Sequence, residues 1–196
     1  GTMYEGGVRV PGIIEWPSRI PAPRVSQVNS VTSDTLPTLC DLLDLPLPKR
    51  PLDGISLEPV IDGQMKQRPS PICFWSFDVK REAQRPVYIE ARLQQGTTPL
   101  VKMMGDIYTR IFVNYKHPEI LPTDYTGNRA MLSNNYKLVI RDNGDEQTIE
   151  LFRVPDDIDE THNIASQYPD IVSGMQKKMI QWQNSVLQSL TGADYK

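Results

Sequence analysis

The chain has 196 residues, which is long enough for one sizeable domain or one and a half, and its 39% hydrophobic content is enough to fill a core. A net charge of -3 and a pI near 5.4 give no long-range attraction for phosphate backbones, so nucleic acid is excluded as an expected partner. No apolar run approaches the roughly 18 residues of a membrane span, so we expect no membrane partner either.

The first predicted unit, residues 1–67, begins with the stretch GTMYEGGVRVPGIIEWP. Its Gly-Gly pair predicts a tight or positive-φ turn, and the apolar residues from Val8 to Ile14 predict a buried strand. Leucines at three- and four-residue spacing follow Ser33 and Asp34, either of which can serve as an N-cap, and they predict a short amphipathic helix packed on an apolar surface. The later stretch LDGISLEPVIDG predicts a turn, one helical turn and a glycine stop.

The second predicted unit, residues 68–196, changes to strand-forming residues. The stretch PICFWSF predicts a strand, and RAMLSNNYKLVIR followed by TIELFRV predicts three more, with turns at Asn134-Asn135 and Asn143-Gly144. An antiparallel meander is therefore expected.

A helix of about twenty residues beginning at Pro169 should cover one face of this meander. Its apolar stripe consists of Ile171, Met175, Met179, Trp182, Val186 and Leu190. The predicted fold class is thus α/β plus α+β: the C-terminal end of a sheet domain, followed by a small antiparallel sheet packed by a long C-terminal helix.

Taken alone, the residues offer no complete catalytic set. The two histidines, His117 and His162, lack zinc-site spacing; His162 is predicted as a solvated loop residue, and His117 is open to either a binding or a structural role. The acidic run 156–160 lacks the later glycine and glutamate of a calcium loop, so it predicts a loop that caps the next segment. Cys40 and Cys73 predict buried free thiols, and a disulfide between them stays open.

Several motifs in one order carry a resemblance to a known family. The first follows the pattern Gly-Lys-x-Thr-x-Tyr/Phe-Glu-Gly-Gly-x-Arg-x-Pro, matched by Thr2, Tyr4, Glu5, Gly6, Gly7, Arg9 and Pro11. The others are SDTLPTLCDLL, Asp53-Gly54-x-Ser56-Leu57, Tyr136-Lys137-Leu138, and Glu150-Leu151-Phe152 leading to Asp157, Glu160 and Asn163. With these motifs, and with Ile158 where the family usually has proline, the chain resembles the C-terminal portion of a formylglycine-dependent, arylsulfatase-like sulfatase of the alkaline-phosphatase superfamily.

The resemblance implies that the catalytic groups lie upstream of this chain. These are the formylglycine, the acidic calcium ligands, the catalytic histidine and a sulfate-binding lysine directly before Gly1. Calcium and formylglycine are then expected in the full-length enzyme, whereas this chain would hold no catalytic residue and no metal ligand, and would be inactive alone. Support for the backbone that carries the lysine is expected from Thr2, Tyr4, Glu5, Gly6 and Gly7.

The long segment 94–118 resembles a stretch of some bacterial sulfatases, and it supplies candidate contacts to an anionic sulfated sugar. These are Lys102, Arg110, Lys116 and His117, with solvated surface charges as the alternative. The resemblance further implies a secreted or periplasmic enzyme acting on sulfated carbohydrate. A sibling phosphodiester or phosphonate ester hydrolase stays open, as does a non-catalytic binding or structural module. We also expect the isolated chain to self-associate or to bind the missing N-terminal portion.

Overall fold

The computed structural model describes residues 3–77 and 119–195. The helices are α1 (Glu5–Val8), α2 (Thr35–Leu42), α3 (Glu58–Ile61) and α4 (Pro169–Leu190). The strands are β1 (Ile72–Trp75), β2 (Arg129–Ser133), β3 (Tyr136–Asp142) and β4 (Gln147–Arg153). Short 3-10 turns occupy Thr32–Asp34, Pro122–Tyr125 and Ala193–Tyr195.

The four strands form one antiparallel sheet in the order β1-β2-β3-β4, which confirms the predicted meander. The turn between β2 and β3 places Asn134 in the left-handed region, with φ of 49°, a conformation that asparagine tolerates. The turn between β3 and β4 does the same with Gly144, with φ of 97°. These two turns set the register, in which Leu138 lies opposite both Met131 and Leu151.

Helix α4 packs on one face of the sheet, as predicted. The buried side chains between them are Met131, Leu138, Ile140, Leu151, Met175 and Met179. The predicted stripe is wrong near its end, because Gln183 and Leu187 are buried there while Leu190 is 42% exposed. Spacings of four exceed the 3.6 residues of a helical turn, so the predicted stripe drifts around the helix and leaves the buried face.

The opposite face of the sheet carries the beginning of the chain. Ala130, Val139 and Phe152 are buried there, and Met3 and Tyr4 pack against them. The sheet therefore separates a helix-covered face from a face that holds α1.

The predicted buried strand from Val8 to Ile14 is wrong. Val8 ends α1, and residues 9–16 form no helix or strand, with Val10 81% and Ile13 91% exposed. A buried strand needs a hydrogen-bonded neighbour, and in the part of the chain that the structure describes no strand pairs with this segment.

The predicted helix after Asp34 is present as α2, but its leucines do not pack on an apolar surface as expected. Leu36, Leu39 and Leu43 are exposed, whereas Thr38 and Cys40 are buried. The helix is held from its other side, where the Thr38 hydroxyl donates to the Asp34 carbonyl at 2.6 Å and accepts the Leu57 amide at 2.9 Å.

The single helical turn and glycine stop are also confirmed, as α3 followed by Gly63 with φ of 73°. Both cysteines are free thiols, with Cys40 buried and Cys73 half-buried. Within the described ranges, no helix is long and apolar enough to cross a membrane. The boundary between residues 1–67 and 68–196 stays a prediction, as does the assignment of residues 1–67 to the end of a larger sheet domain.

Candidate functional site

Helix α1 is a single right-handed turn that points one acidic side chain inward. The Tyr4 carbonyl accepts the Gly7 amide at 2.8 Å, and the Glu5 carbonyl accepts the Arg9 amide at 2.9 Å. Glu5 is buried, while Gly6 and Gly7 face outward, and a Cβ atom added to Gly6 would meet nothing within 4 Å. Of the two predicted forms of the Gly-Gly turn, tight or with positive φ, the tight one is confirmed. Packing among the described residues does not explain why residue 6 is a glycine.

Glu5 belongs to a buried group of charges, here called the Lys137 cluster and defined as Glu5, Lys137 and Glu160. The Lys137 ammonium lies 2.9 Å from a carboxylate oxygen of Glu5 and 2.9 Å from one of Glu160. Lys137 is fully buried, and the Glu160 side chain is 3% exposed. The Glu160 carboxylate also accepts the backbone amide of Glu5. Burying an unpaired ammonium costs several kcal/mol, so these carboxylates are what permits a lysine at this position.

Tyr4 fixes the same segment to strand β4. Its ring meets Phe152 edge-on, with centroids 6.2 Å apart, and its hydroxyl donates to the Glu150 carboxylate. Burial, and then the hydrogen bond to Glu150, raise the pKa of Tyr4 to about 12. The phenol is therefore neutral and available as a donor at ordinary pH.

The acidic loop after β4 is a capped turn, as predicted. The Asp157 carboxylate accepts the backbone amides of Thr161 and His162, each at 3.0 Å, and these bonds lower the pKa of Asp157. His162 is a solvated loop residue, with its side chain 83% exposed. The loop places Glu160 in the left-handed region, with φ of 52°, where its side chain faces Lys137.

A second buried ion pair joins α2 to the sheet. Arg68 donates to both carboxylate oxygens of Asp34 at 2.7 Å, and both side chains are almost fully buried. Burial by itself would raise the pKa of Asp34, but the hydrogen bonds from Arg68 and from the amides of Ile55 and Val31 hold it below its usual value. The Arg68 amide donates to the side chain of Asn134 at 2.9 Å, so this pair anchors α2 at the turn between β2 and β3.

The structure brings some predicted site residues together and leaves others outside its range. Tyr4 and Glu5 meet β3, β4 and the acidic loop, while the glycines of α1 face outward. Thr2 and the candidate sugar contacts lie outside the described residues; the latter are Lys102, Arg110, Lys116 and His117. Their roles stay predictions.

The described residues do not fit the cofactors that the resemblance implies for a full-length enzyme. In residues 3–77 and 119–195, no group of three or more His, Cys, Asp or Glu side chains is arranged to hold a metal ion. No cysteine or serine in residues 1–196 starts the Cys/Ser-x-Pro-x-Arg pattern from which a formylglycine would be made. What these residues offer chemically is a rigid support for α1.

Comparison with known proteins tests the resemblance directly. Over 75 residues the chain is 43% identical to human arylsulfatase A, covering 38% of this chain and 15% of that protein. Over 193 residues it is 27% identical to a sulfatase of Formosa agariphila, covering 93% of this chain and 28% of that protein. The resemblance to sulfatases is confirmed.

Further comparisons were made with other curated proteins, solved structures and family models. Dog N-acetylgalactosamine-6-sulfatase is 43% identical over 70 residues, covering 35% of this chain and 13% of that protein. A solved structure assigned to the sulfatases, from Bacteroides thetaiotaomicron, has a TM-score of 0.43 and 20% identity, and it covers 80% of this chain and 25% of its own. No family model matches the chain. The chain spans between 13% and 28% of the length of these curated sulfatases, which fits a C-terminal portion.

Sequence reasoning included Lys137 and Glu160 in sulfatase-like motifs but gave neither of them a role. The signal that could have found them was the lysine of YKLVI, a charged residue between Tyr136 and an apolar run. A lysine in such a place is buried only if acidic partners reach it. Arg68, which lies within the polar stretch GQMKQRPSP, carried no such signal.

Proposed function

We propose that this chain is the C-terminal portion of a sulfatase, a sulfuric ester hydrolase acting on sulfated carbohydrate. One observation carries the proposal: the sequence motifs that resemble sulfatases also meet in space. Glu5 of the first motif contacts Lys137, 132 residues later, and Lys137 in turn contacts Glu160 of the last motif. Three motifs that are far apart in the sequence thus contribute side chains to one cluster.

The proposed part of this chain in the reaction is positional. Cleaving a sulfate ester needs a nucleophile, positive charge to neutralise the sulfate oxygens and a proton donor for the leaving oxygen. In the proposed enzyme, these groups lie upstream of this chain. They include the formylglycine, residues that would bind calcium, and a lysine directly before Gly1. Tyr4 and Glu5 then hold the backbone that leads to this lysine.

The exposed apolar side chains near the beginning of the chain support a larger polypeptide over a separate binding module. Val10 and Ile13 on the segment after α1, and Leu39 and Leu43 on α2, lie in solvent. Exposed apolar surface of this extent is typical of an interface. We propose that the rest of the sulfatase covers it, and that the isolated chain self-associates through it.

The substrate class follows from the resemblance and from the relatives. The name of N-acetylgalactosamine-6-sulfatase states a sulfated amino sugar as the substrate of that protein. For this chain we propose a sulfated carbohydrate, contacted by Lys102, Arg110, Lys116 and His117, and a secreted or periplasmic location. Both are carried over from the family rather than observed in the structure.

The test is a comparison of two polypeptides. One is the complete protein translated from the gene that encodes this chain, and the other is residues 1–196 alone. Sulfate released from sulfated monosaccharides is measured by ion chromatography, and a phosphodiester is assayed in parallel. We expect sulfate release from the complete protein only. Turnover of the phosphodiester without sulfate release would favour the sibling hydrolase, and activity of neither polypeptide on either substrate would favour the binding module.

A further inference from the structure

We propose that Lys137 is a positioning residue of the sulfatase site, acting through Glu5 to fix the α1 turn. The inference rests on the proposed function and goes beyond it, because it assigns a role in the reaction to a residue of the C-terminal sheet. By this assignment, the sheet sets the position of the backbone that leads into the catalytic portion.

The geometry makes Lys137 a fixed point. It lies within β3, opposite Leu132 of β2 and Phe152 of β4, so its backbone is paired on both sides. Its neighbour on the same face, Val139, is buried in the small core against which Tyr4 packs. The ammonium is therefore presented to α1 from a strand that is paired on both sides, and it lies 2.9 Å from a carboxylate oxygen of Glu5.

Energetics favour orientation over stability as the reason for this arrangement. A buried salt bridge gains little net stability, since desolvation of the charges offsets their attraction, and apolar residues of similar volume often stabilise a protein equally well. A hydrogen-bonded ion pair differs from apolar packing in being directional, because it holds its partner at one distance and angle. The Lys137 cluster thus fixes the distance and angle of its partners. A support for catalytic groups needs this fixed geometry, and an apolar core does not provide it.

Glu160 gives independent support. Its φ of 52° lies in the left-handed region, where a residue with a Cβ atom costs about 1 kcal/mol more than glycine. The side chain that incurs this cost binds both parts of the site, accepting the Glu5 amide and approaching the Lys137 ammonium. Backbone strain that is kept where a side chain joins two segments suggests a functional position.

The experiment compares three variants of the complete protein: Lys137→Met, Glu160→Gly and Arg129→Met. Arg129 is the matched control, because it forms a similarly buried ion pair with Asp142 at 2.8 Å but lies opposite Ile140, on the sheet face covered by α4. Kinetic constants for sulfate release, thermal unfolding and amide exchange at Glu5 and Val8 are measured for each variant.

We expect Lys137→Met to lower kcat and kcat/KM together by about 100-fold, the size of effect that a displacement of about 1 Å produces in a catalytic group. Amide exchange in α1 should be faster in the same variant. Arg129→Met should lower the unfolding temperature but leave kcat and α1 exchange unchanged. Glu160→Gly should lower kcat with little change in unfolding temperature, because relief of backbone strain offsets the lost contact.

Equal kinetic constants for Lys137→Met and Arg129→Met would overturn the inference, as would unchanged amide exchange in α1. If Lys137→Met does not fold, Glu160→Gly decides by itself: a stable variant with wild-type kcat/KM would refute the role of the cluster. Absence of sulfate release from the wild-type protein is a different result, because it refutes the proposed function rather than the role of Lys137 within it.

Discussion

Two regions of this molecule differ in how far their apolar side chains are buried. In residues 129–190 the sheet and α4 bury large side chains completely, such as Leu138 and Leu151. In residues 8–47 comparable side chains lie in solvent, and Leu43 is 63% exposed. The first region has a core of its own, whereas the second is held to it by polar contacts.

The difference shows what anchors the early part of the chain. Beside the packing of Met3 and Tyr4 on the sheet, its connections include two buried ion pairs: Asp34 with Arg68, and Glu5 with Lys137. Such pairs fix position well but add little net stability, and breaking one by removing a single partner is costly. The two regions should therefore respond to different kinds of mutation.

The largest effect should come from Asp34→Asn. This change leaves the buried guanidinium of Arg68 without a counter-charge, and it should cost about 3–5 kcal/mol in the free energy of unfolding, measured with urea. Asp62→Asn is the control, because it weakens an ion pair with Arg19 in which both side chains are partly exposed. A small and equal change for both variants would show that charge pairing does not anchor the early region.

The contribution of Asp34 also has a predictable pH dependence. The pKa of Asp34 is lower in the folded chain than the usual value of 3.8, so its ionised form is favoured by folding. This stability is present above pH 3.8 and is lost as the pH falls below it, through the folded pKa. The difference between wild type and Asp34→Asn should accordingly be constant at neutral pH and shrink in acid.

A smaller effect is expected from truncating the core of the second region. Leu138→Ala removes a fully buried side chain between β3 and α4, and it should cost about 2–5 kcal/mol because the cavity cannot be refilled. Leu43→Ala makes the same chemical change at an exposed position, and should alter the unfolding midpoint by less than about 0.5 kcal/mol. Comparable losses in the two variants would mean that α2 is packed in solution against a surface of its own.

The sheet and α4 could be predicted from the sequence because their signals are local. Asn134-Asn135 and Asn143-Gly144 specify the turns, and the turns determine which strands pair. Pro169 marks the start of α4, and the apolar spacing after it identifies Met175 and Met179 of the buried face but not Gln183 and Leu187. Each of these signals depends on neighbours only a few residues away.

The Lys137 cluster and the exposure of residues 8–14 could not be predicted in the same way. Contacts such as that between Glu5 and Lys137 join positions 132 residues apart, and nothing in either neighbourhood specifies the other. The run from Val8 to Ile14 has the composition of a buried strand, but burial depends on a pairing strand that the described residues do not provide. The apolar composition of a segment shows that it can form a buried strand, and the presence of a pairing strand determines whether it does.

The smallest expected effect concerns Tyr4, which joins the early segment to the sheet through one hydroxyl. Its folded pKa of about 12 lies above the usual value of 10.0, so its contribution to stability is complete below pH 10 and is lost as the pH rises toward 12. Tyr4→Phe removes the donor to Glu150 but keeps the ring that packs against Phe152. In a spectroscopic titration of tyrosinate, the wild type should show one late-titrating tyrosine that is missing from Tyr4→Phe. If the tyrosine that is missing from Tyr4→Phe titrates near the usual value of 10.0 instead, the hydroxyl is free in solution, and α1 is then held to the sheet by the Lys137 cluster and ring packing without it.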